Sequence, residues 1–323
     1  LFGENMKKIL YVVHRYPPFP GGSEYFVRDM AEETARRGHQ VAVFSTEHMG
    51  DQNGIRVTND KFILAEEWDL IVVHGGDVSA QNMVHNNSHI IPSPILYMLI
   101  LPSTSETCMH GLRNSKFIGC SSIDDWIYVD KYGVRDKAIE IRHGIDPRFS
   151  IGQDGFKQKY GITTKHMFLS CGGFWQHKGF DELIDSFNKA NIPDTTLVLT
   201  GYDNRSNLKR PDTEFVKSFM LDDKMEAISA IKEADLYVLN SYTEGFGLVL
   251  LESMLNHTPW AARDIAGATT MKEFGFTYTD QDQLIDFMKN FDRDATDTSR
   301  AYNYVTSNRL ISNTVDDILN VIR

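Results

Sequence analysis

The chain has 323 residues, 41% hydrophobic and 24% charged, an ordinary globular composition with room for two domains of about 150 residues each. Its formal charge of −11 is spread, with 15 basic and 19 acidic residues up to residue 150 and 18 and 25 beyond it. Neither half is a basic domain, which argues against strong non-specific nucleic-acid binding.

Lys8–Val13 reads as a strand, the turn-rich HRYPPFPGG as a loop, and Ser23–Arg37 as a helix capped by Ser23 with Glu24 in its first turn. Phe26, Val27, Met30, Ala31 and Thr34 keep the spacing of a helix packed on a sheet. Gly38 ends it and Gln40–Ser45 is the next strand. Asp69–His74, Ile95–Leu101 and Lys116–Cys120 are short apolar runs of the kind buried in parallel sheets. Ser121 or Ser122 caps a helix through Tyr132, and Ala138–Arg142 is a further strand. The Gly, Pro and polar residues of His143–Gly155 mark a domain boundary, placed at 147/148, so that domains of 6–147 and 148–323 are expected, with the last helices free to pack back on the first.

A second alternating series follows: strand Phe168–Ser170, helix Lys178–Ala190, strand Thr196–Gly201, helix Asp222–Glu233 and strand Asp235–Asn240, with the last 50 residues mainly helical. Two α/β halves are the economical reading. Ligands of such sheets bind at the carboxyl ends of strands, where the loops carrying His14, His74, Gly172 and Ser241 lie; these loops are expected to face one cleft.

Ser241–Pro259 (SYTEGFGLVLLESMLNHTP) is the stretch richest in chemistry. Gly245-Phe246-Gly247 lets a ligand lie against main-chain N–H groups, and the helix that starts behind it favours a phosphate. Glu244 and Glu252 on either side add acceptors for hydroxyls. A phosphate cradle flanked by carboxylates suits a nucleotide sugar. Two Asp-x-Asp strings, Asp280/Asp282 and Asp292/Asp294, are read as helix caps in a helical tail rather than metal ligands. Phe174 and Trp175 fit stacking on a ligand and core packing equally.

No apolar run approaches the roughly 20 residues that span a bilayer, and no signal-peptide pattern is visible near the start; residues 1–5 are set aside. Cys108, Cys120 and Cys171 lack metal-type spacing and read as reduced thiols. A cytoplasmic protein with at most peripheral membrane contact is expected.

Several segments in register, from PPFPGGSEYFVRDMAEETARRGHQVAV through CSSIDDW, HGID and GGFWQHKGFDELI to SYTEGFGLVLLESMLNHTP, resemble the family 4 glycosyltransferases of the GT-B fold. The resemblance implies two Rossmann-like α/β/α domains facing each other across a cleft, and transfer of a sugar from a nucleoside diphosphate, UDP- or GDP-linked, with retention of configuration. It implies no metal or other cofactor, and a glycan, lipid-linked or other small acceptor.

Carried over residue by residue, Glu252 matches the glutamate on the ribose hydroxyls and Glu244 the one near the donor sugar. Gly245, Phe246, Gly247 and Leu248 match the backbone meeting sugar and diphosphate, and Lys178 the lysine that neutralises the diphosphate. In the first domain, Gly21 and Gly22 match the glycine pair near the phosphates and acceptor, and His74 the histidine that reaches toward the sugar. The family's Gly-Arg before the lysine is Gly172-Gly173 here, leaving Gly173 at the donor without the arginine; Arg15, Arg142, Arg263 and His177 are the candidate substitutes. His257 stands where a glycine is expected, and Thr270 where a glutamate is common. The missing arginine motivates a rival reading, a catalytically weak protein that binds nucleotide sugars or glycans. A phage-type enzyme acting on modified DNA bases is disfavoured by the acidic balance.

Overall fold

The computed structural model describes residues 6–19, 21–76, 78–100, 105–201, 211–221 and 223–323. Pro20, Leu101 and Asp222, which the sequence reading placed in a loop, a strand and a helix, lie outside them. The chain divides into two compact units, one running to Gly144 and resuming at Leu310–Arg323, the other spanning Ile145–Arg309.

The first unit holds strands β1 (Lys8–Val13), β2 (Gln40–Ser45), β3 (Gly50–Gln52), β4 (Ile55–Thr58), β5 (Leu70–His74), β6 (Ile95–Met98), β7 (Phe117–Cys120) and β8 (Ala138–Glu140). Among the described residues they form one sheet in the order β3-β4-β2-β1-β5-β6-β7-β8. All neighbours are parallel except β3 and β4. That hairpin was not foreseen, although Asn53-Gly54, both at positive φ, is the strongest short hairpin signal. The runs KILYVV and LIVVH bury nearly every residue because helices cover the parallel sheet.

Helix α1 (Gly22–Arg36) begins one residue before the expected start. Its N-cap is Gly21, which offers no side chain, so Ser23 is not the cap. The expected inward face holds: Phe26, Val27, Met30, Ala31 and Thr34 are buried. Helices α2 (Val78–Asn86), α3 (Glu106–Asn114) and α4 (Ile123–Lys131) follow. Ser122, one of the two expected caps, starts α4 and forms a reciprocal capping box with Asp125.

The second unit is a six-stranded parallel sheet among the described residues, in the order β11-β10-β9-β12-β13-β14. Its strands are β9 (His166–Cys171), β10 (Thr195–Gly201), β11 (Val216–Met220), β12 (Leu236–Leu239), β13 (Trp260–Arg263) and β14 (Phe276–Tyr278). Helices α5 (Phe156–Lys159), α6 (Phe180–Ala190), α7 (Lys224–Glu233), α8 (Leu248–Leu255), α9 (Ala266–Thr270), α10 (Gln281–Asn290) and α11 (Ser299–Asn308) connect them. Strands β11, β13 and β14 were not expected, and Lys178 lies at the end of a 3-10 turn rather than in α6.

The last helix, α12 (Ile311–Asn320), is part of the first unit. Arg142 grips Asp317 through both carboxylate oxygens, Nε to Oδ2 at 2.8 Å and Nη2 to Oδ1 at 2.6 Å. Arg37 of the α1 C-cap bonds Asp316 at 2.6 Å and the Ser312 carbonyl at 2.9 Å. No helix among the described residues is long and apolar enough to cross a membrane.

Candidate functional site

In the second sheet β9 and β12 are neighbours although β10 and β11 separate them in the chain. The chain builds outward from β9 in one direction, then returns to lay β12 on its other side. Loops leaving two such strands diverge and open a crevice at their carboxyl ends. The loop after β9 carries Gly172 to Lys178, and the loop after β12 carries Asn240 to Gly247.

These loops meet at an ion pair. Lys178 Nζ stands 2.6 Å from Glu244 Oε1, and Ser241 Oγ donates to the same oxygen at 2.6 Å. Both charged side chains are largely covered, with 18% and 16% exposed. The loops also touch backbone to backbone. Gly179 adopts φ +63°, and a Cβ there would fall 2.6 Å from the Asn240 carbonyl oxygen; a glycine is needed for both reasons. Asn240 is fully buried. Its Nδ2 donates to the Gly179 carbonyl at 2.7 Å, while its Oδ1 accepts from Tyr278 Oη at 2.7 Å, Gln281 Nε2 at 3.0 Å and Arg263 Nη2 at 3.3 Å.

Gly247, at φ +82°, is the N-cap of α8 and supplies no side-chain acceptor. The first N–H groups of that helix therefore point outward without a cap, the usual setting for an anion. Phe246 is buried beneath the turn, and a Cβ on Gly267 would collide with its carbonyl oxygen. Those contacts fix the height of the Gly245–Leu248 segment.

One turn further along α8, Glu252 is 4% exposed. Its Oε1 lies 2.5 Å from Lys224 Nζ, while Oε2 is buried with no hydrogen-bond partner among the described residues. Lys224 was missed by the sequence reading. The signal was available: a cation in the first residue of a helix opposes the dipole and points to a nearby anion. At the end of β9, burial pushes the Cys171 thiol up to about 12, with Lys224 pulling it down and Glu252 raising it. All three cysteines are free thiols.

Trp175 stands against Gly173, where the family pattern has the arginine. A Cβ on Gly173 would collide with Nε1 of Trp175, so the indole occupies the space a side chain at 173 needs. Phe174 is core, edge-on to Phe180 at 5.2 Å. Of the four candidate substitutes, Arg142 is held by Asp317, and Arg263 bonds Glu182 at 2.5 Å and packs 4.8 Å over Tyr242. Arg15 lies 3.4 Å from Glu24 and 3.9 Å over Phe19. Burial first, and Lys178 second, lower the pKa of His177 below 6.5. A lowered histidine pKa means that stability is fully present above about 6.5 and falls as pH drops through the native value. An NMR titration should place the His177 midpoint below 6.5; a midpoint above it would restore His177 as a cation near neutrality.

His257 takes the left-handed conformation, φ +56°, one that favours the glycine expected at this position. Its ring stacks on Tyr302 at 4.3 Å. Thr270 donates to the Ala266 carbonyl at 3.3 Å. Asp280 caps α10, and Asp292 accepts from the backbone N–H of Asp294 and Ala295. No group of three or more His, Cys, Asp or Glu that could hold a metal occurs among the described residues.

Gly21, Gly22 and His74 belong to the first unit: His74 ends β5, the neighbour of β1, and the two glycines lie where the segment after β1 enters α1. Gly22 is the first residue of α1, and the Glu24 carboxylate fills the space a side chain on Gly21 would need. His74 is buried, 6.5 Å from the Phe26 ring.

Residues 153–277 match the family model of glycosyl transferases group 1. UDP-glucose-bound HepE of Anabaena superposes with a TM-score of 0.79 over 98% of this chain and 99% of its own, at 18% identity. The fold is GT-B. A glycosyltransferase of Rickettsia africae ESF-5 gives a TM-score of 0.78 at 16% identity, over 99% of this chain and 98% of its own. Mannosylfructose-phosphate synthase of Agrobacterium fabrum is 30% identical over 155 residues, which cover 41% of this chain and 34% of that enzyme. The family match and the Lys178–Glu244 pair fall in the same unit, where the sequence placed the donor.

Proposed function

We propose that the chain is a retaining glycosyltransferase that moves a sugar from a UDP- or GDP-linked donor to an acceptor hydroxyl without a metal. The observation that carries this reading is the grouping at the carboxyl ends of β9 and β12: an uncapped helix start at Gly247, the Lys178 ammonium beside it in the crevice loops, and Glu252 with an open carboxylate oxygen. In this reading Glu252 takes the ribose hydroxyls. Gly245–Leu248 and Gly173 offer backbone to the diphosphate and sugar, Glu244 contacts the donor sugar, and Lys178 faces the leaving group. Gly21, Gly22 and His74 keep the roles that the family resemblance implies for them. The match to UDP-glucose-bound HepE supports UDP-glucose as the first donor to try.

The chemistry follows from charge. As the C1–O bond to the diphosphate breaks, negative charge collects on the leaving oxygen, where Lys178 and the α8 N–H groups stabilise it. The acceptor oxygen bonds C1 on the same face and its proton passes to that diphosphate oxygen. No protein nucleophile is needed.

Glu252→Gln tests the assignment. It keeps the shape but removes the charge-assisted acceptor, so donor affinity should fall about tenfold or more by calorimetry. Unchanged affinity would remove Glu252 from the site. Retention is read from the anomeric NMR signal of the product, and metal independence from turnover in EDTA. The rival reading of a weakly catalytic binder draws on one fact, the indole in place of an arginine at Gly173; donor binding with no release of nucleoside diphosphate would favour it.

A further inference from the structure

We propose that Lys224 is a positioning residue for the nucleoside end of the site: it holds Glu252 Oε1 so that Oε2 alone is presented to the ribose diol. The inference rests on the reading of Glu252 as the ribose ligand.

Three observations point to it. Lys224 opens α7, whose cap is Asp223, accepting from Met225 N at 2.9 Å; a cation there is opposed by the helix dipole, so its placement needs another cause. The cause is Glu252, 2.5 Å away and almost wholly buried, since a buried carboxylate is costly without a cation beside it. The Phe149 ring, 5.3 Å from Nζ, walls the ammonium on another side.

Lys224 engages one oxygen of Glu252 and leaves the other buried without a partner among the described residues. A buried acceptor in that state is costly unless a ligand satisfies it. An ammonium on Oε1 prevents the side chain from turning, so that the remaining oxygen accepts from a hydroxyl pair in a fixed direction.

The test uses the intact chain and compares UDP with 2′,3′-dideoxy-UDP by calorimetry, with the corresponding GDP pair run alongside. Wild type should prefer the nucleotide with the diol by at least about tenfold, since a site built around a hydroxyl rejects the analogue lacking it. Lys224→Met should bring the two within about twofold, while Lys224→Arg keeps most of the preference. If Lys224→Met melts below the assay temperature, Lys224→Ser, which admits water to Glu252, makes the same comparison. A merely structural role would weaken both nucleotides together and leave the ratio unchanged.

Retention of the full preference in the Lys224 variants, with its loss in Glu252→Gln, would overturn this inference and leave the function standing. No preference in wild type, or a preference kept by Glu252→Gln, would instead overturn the ribose assignment on which it rests. Failure of all four nucleotides to bind wild type would overturn both.

Discussion

Lys178→Ala is expected to lower the rate of sugar transfer by about a hundredfold or more, the usual consequence of removing a charge-stabilising donor from a leaving group. The loss should fall chiefly on kcat, because the charge that Lys178 meets develops as the diphosphate departs. Release of nucleoside diphosphate from the donor that binds best measures it. Turnover within about threefold of wild type would remove Lys178 from that role. The pairing with Glu244 sharpens the expectation: without Lys178, the Glu244 carboxylate keeps the Ser241 hydroxyl but loses its cation. Lys178→Arg keeps the charge yet not the compact fit at 2.6 Å and should recover part of the rate.

Asn240→Leu is expected to be among the most destabilising single changes in the second unit, at about 3–5 kcal/mol. The side chain is fully buried and joins the Gly179 carbonyl, Tyr278, Gln281 and Arg263. A leucine has similar size, so the cost comes from polar groups left buried without partners rather than from a cavity. Urea unfolding should show a lowered midpoint with little change in slope. A midpoint within experimental scatter of wild type would mean that water replaces the amide. Because Asn240 ties the loop after β12 to the start of α6, a folded Asn240 variant should also lose donor affinity, read in the same calorimetric assay.

The parallel strands at the centre of both sheets were legible because burial on two faces writes an uninterrupted apolar run, as in KILYVV, LIVVH and TLVLTG. The inward face of α1 was legible from its 3.6-residue spacing. What escaped were elements with little local signal. Strands β13 and β14 have four and three residues, too short for a period to register. Ser23 was taken for a cap on residue preference alone, whereas the chain turns into the helix one residue earlier, at a glycine. Glu244 and Glu252 could be picked out in sequence because they flank the glycine turn, and Lys178 because its segment resembles a family pattern. Lys224 belongs to no such pattern.

The sequence by itself determined the two α/β halves, the glycine turn before α8 and the types of charged group around it, since these follow from periodicity, from backbone freedom at glycine and from short-range spacing. Tertiary structure alone decided which charges pair. Lys178 and Glu244 are 66 residues apart and Lys224 and Glu252 are 28 apart, and their meeting depends on strand order, with β12 laid beside β9. It also decided that Trp175 fills the place of a side chain at Gly173 and that α12 packs with the first unit. No local rule contains those facts, because each is a contact between segments that only the completed sheets bring together.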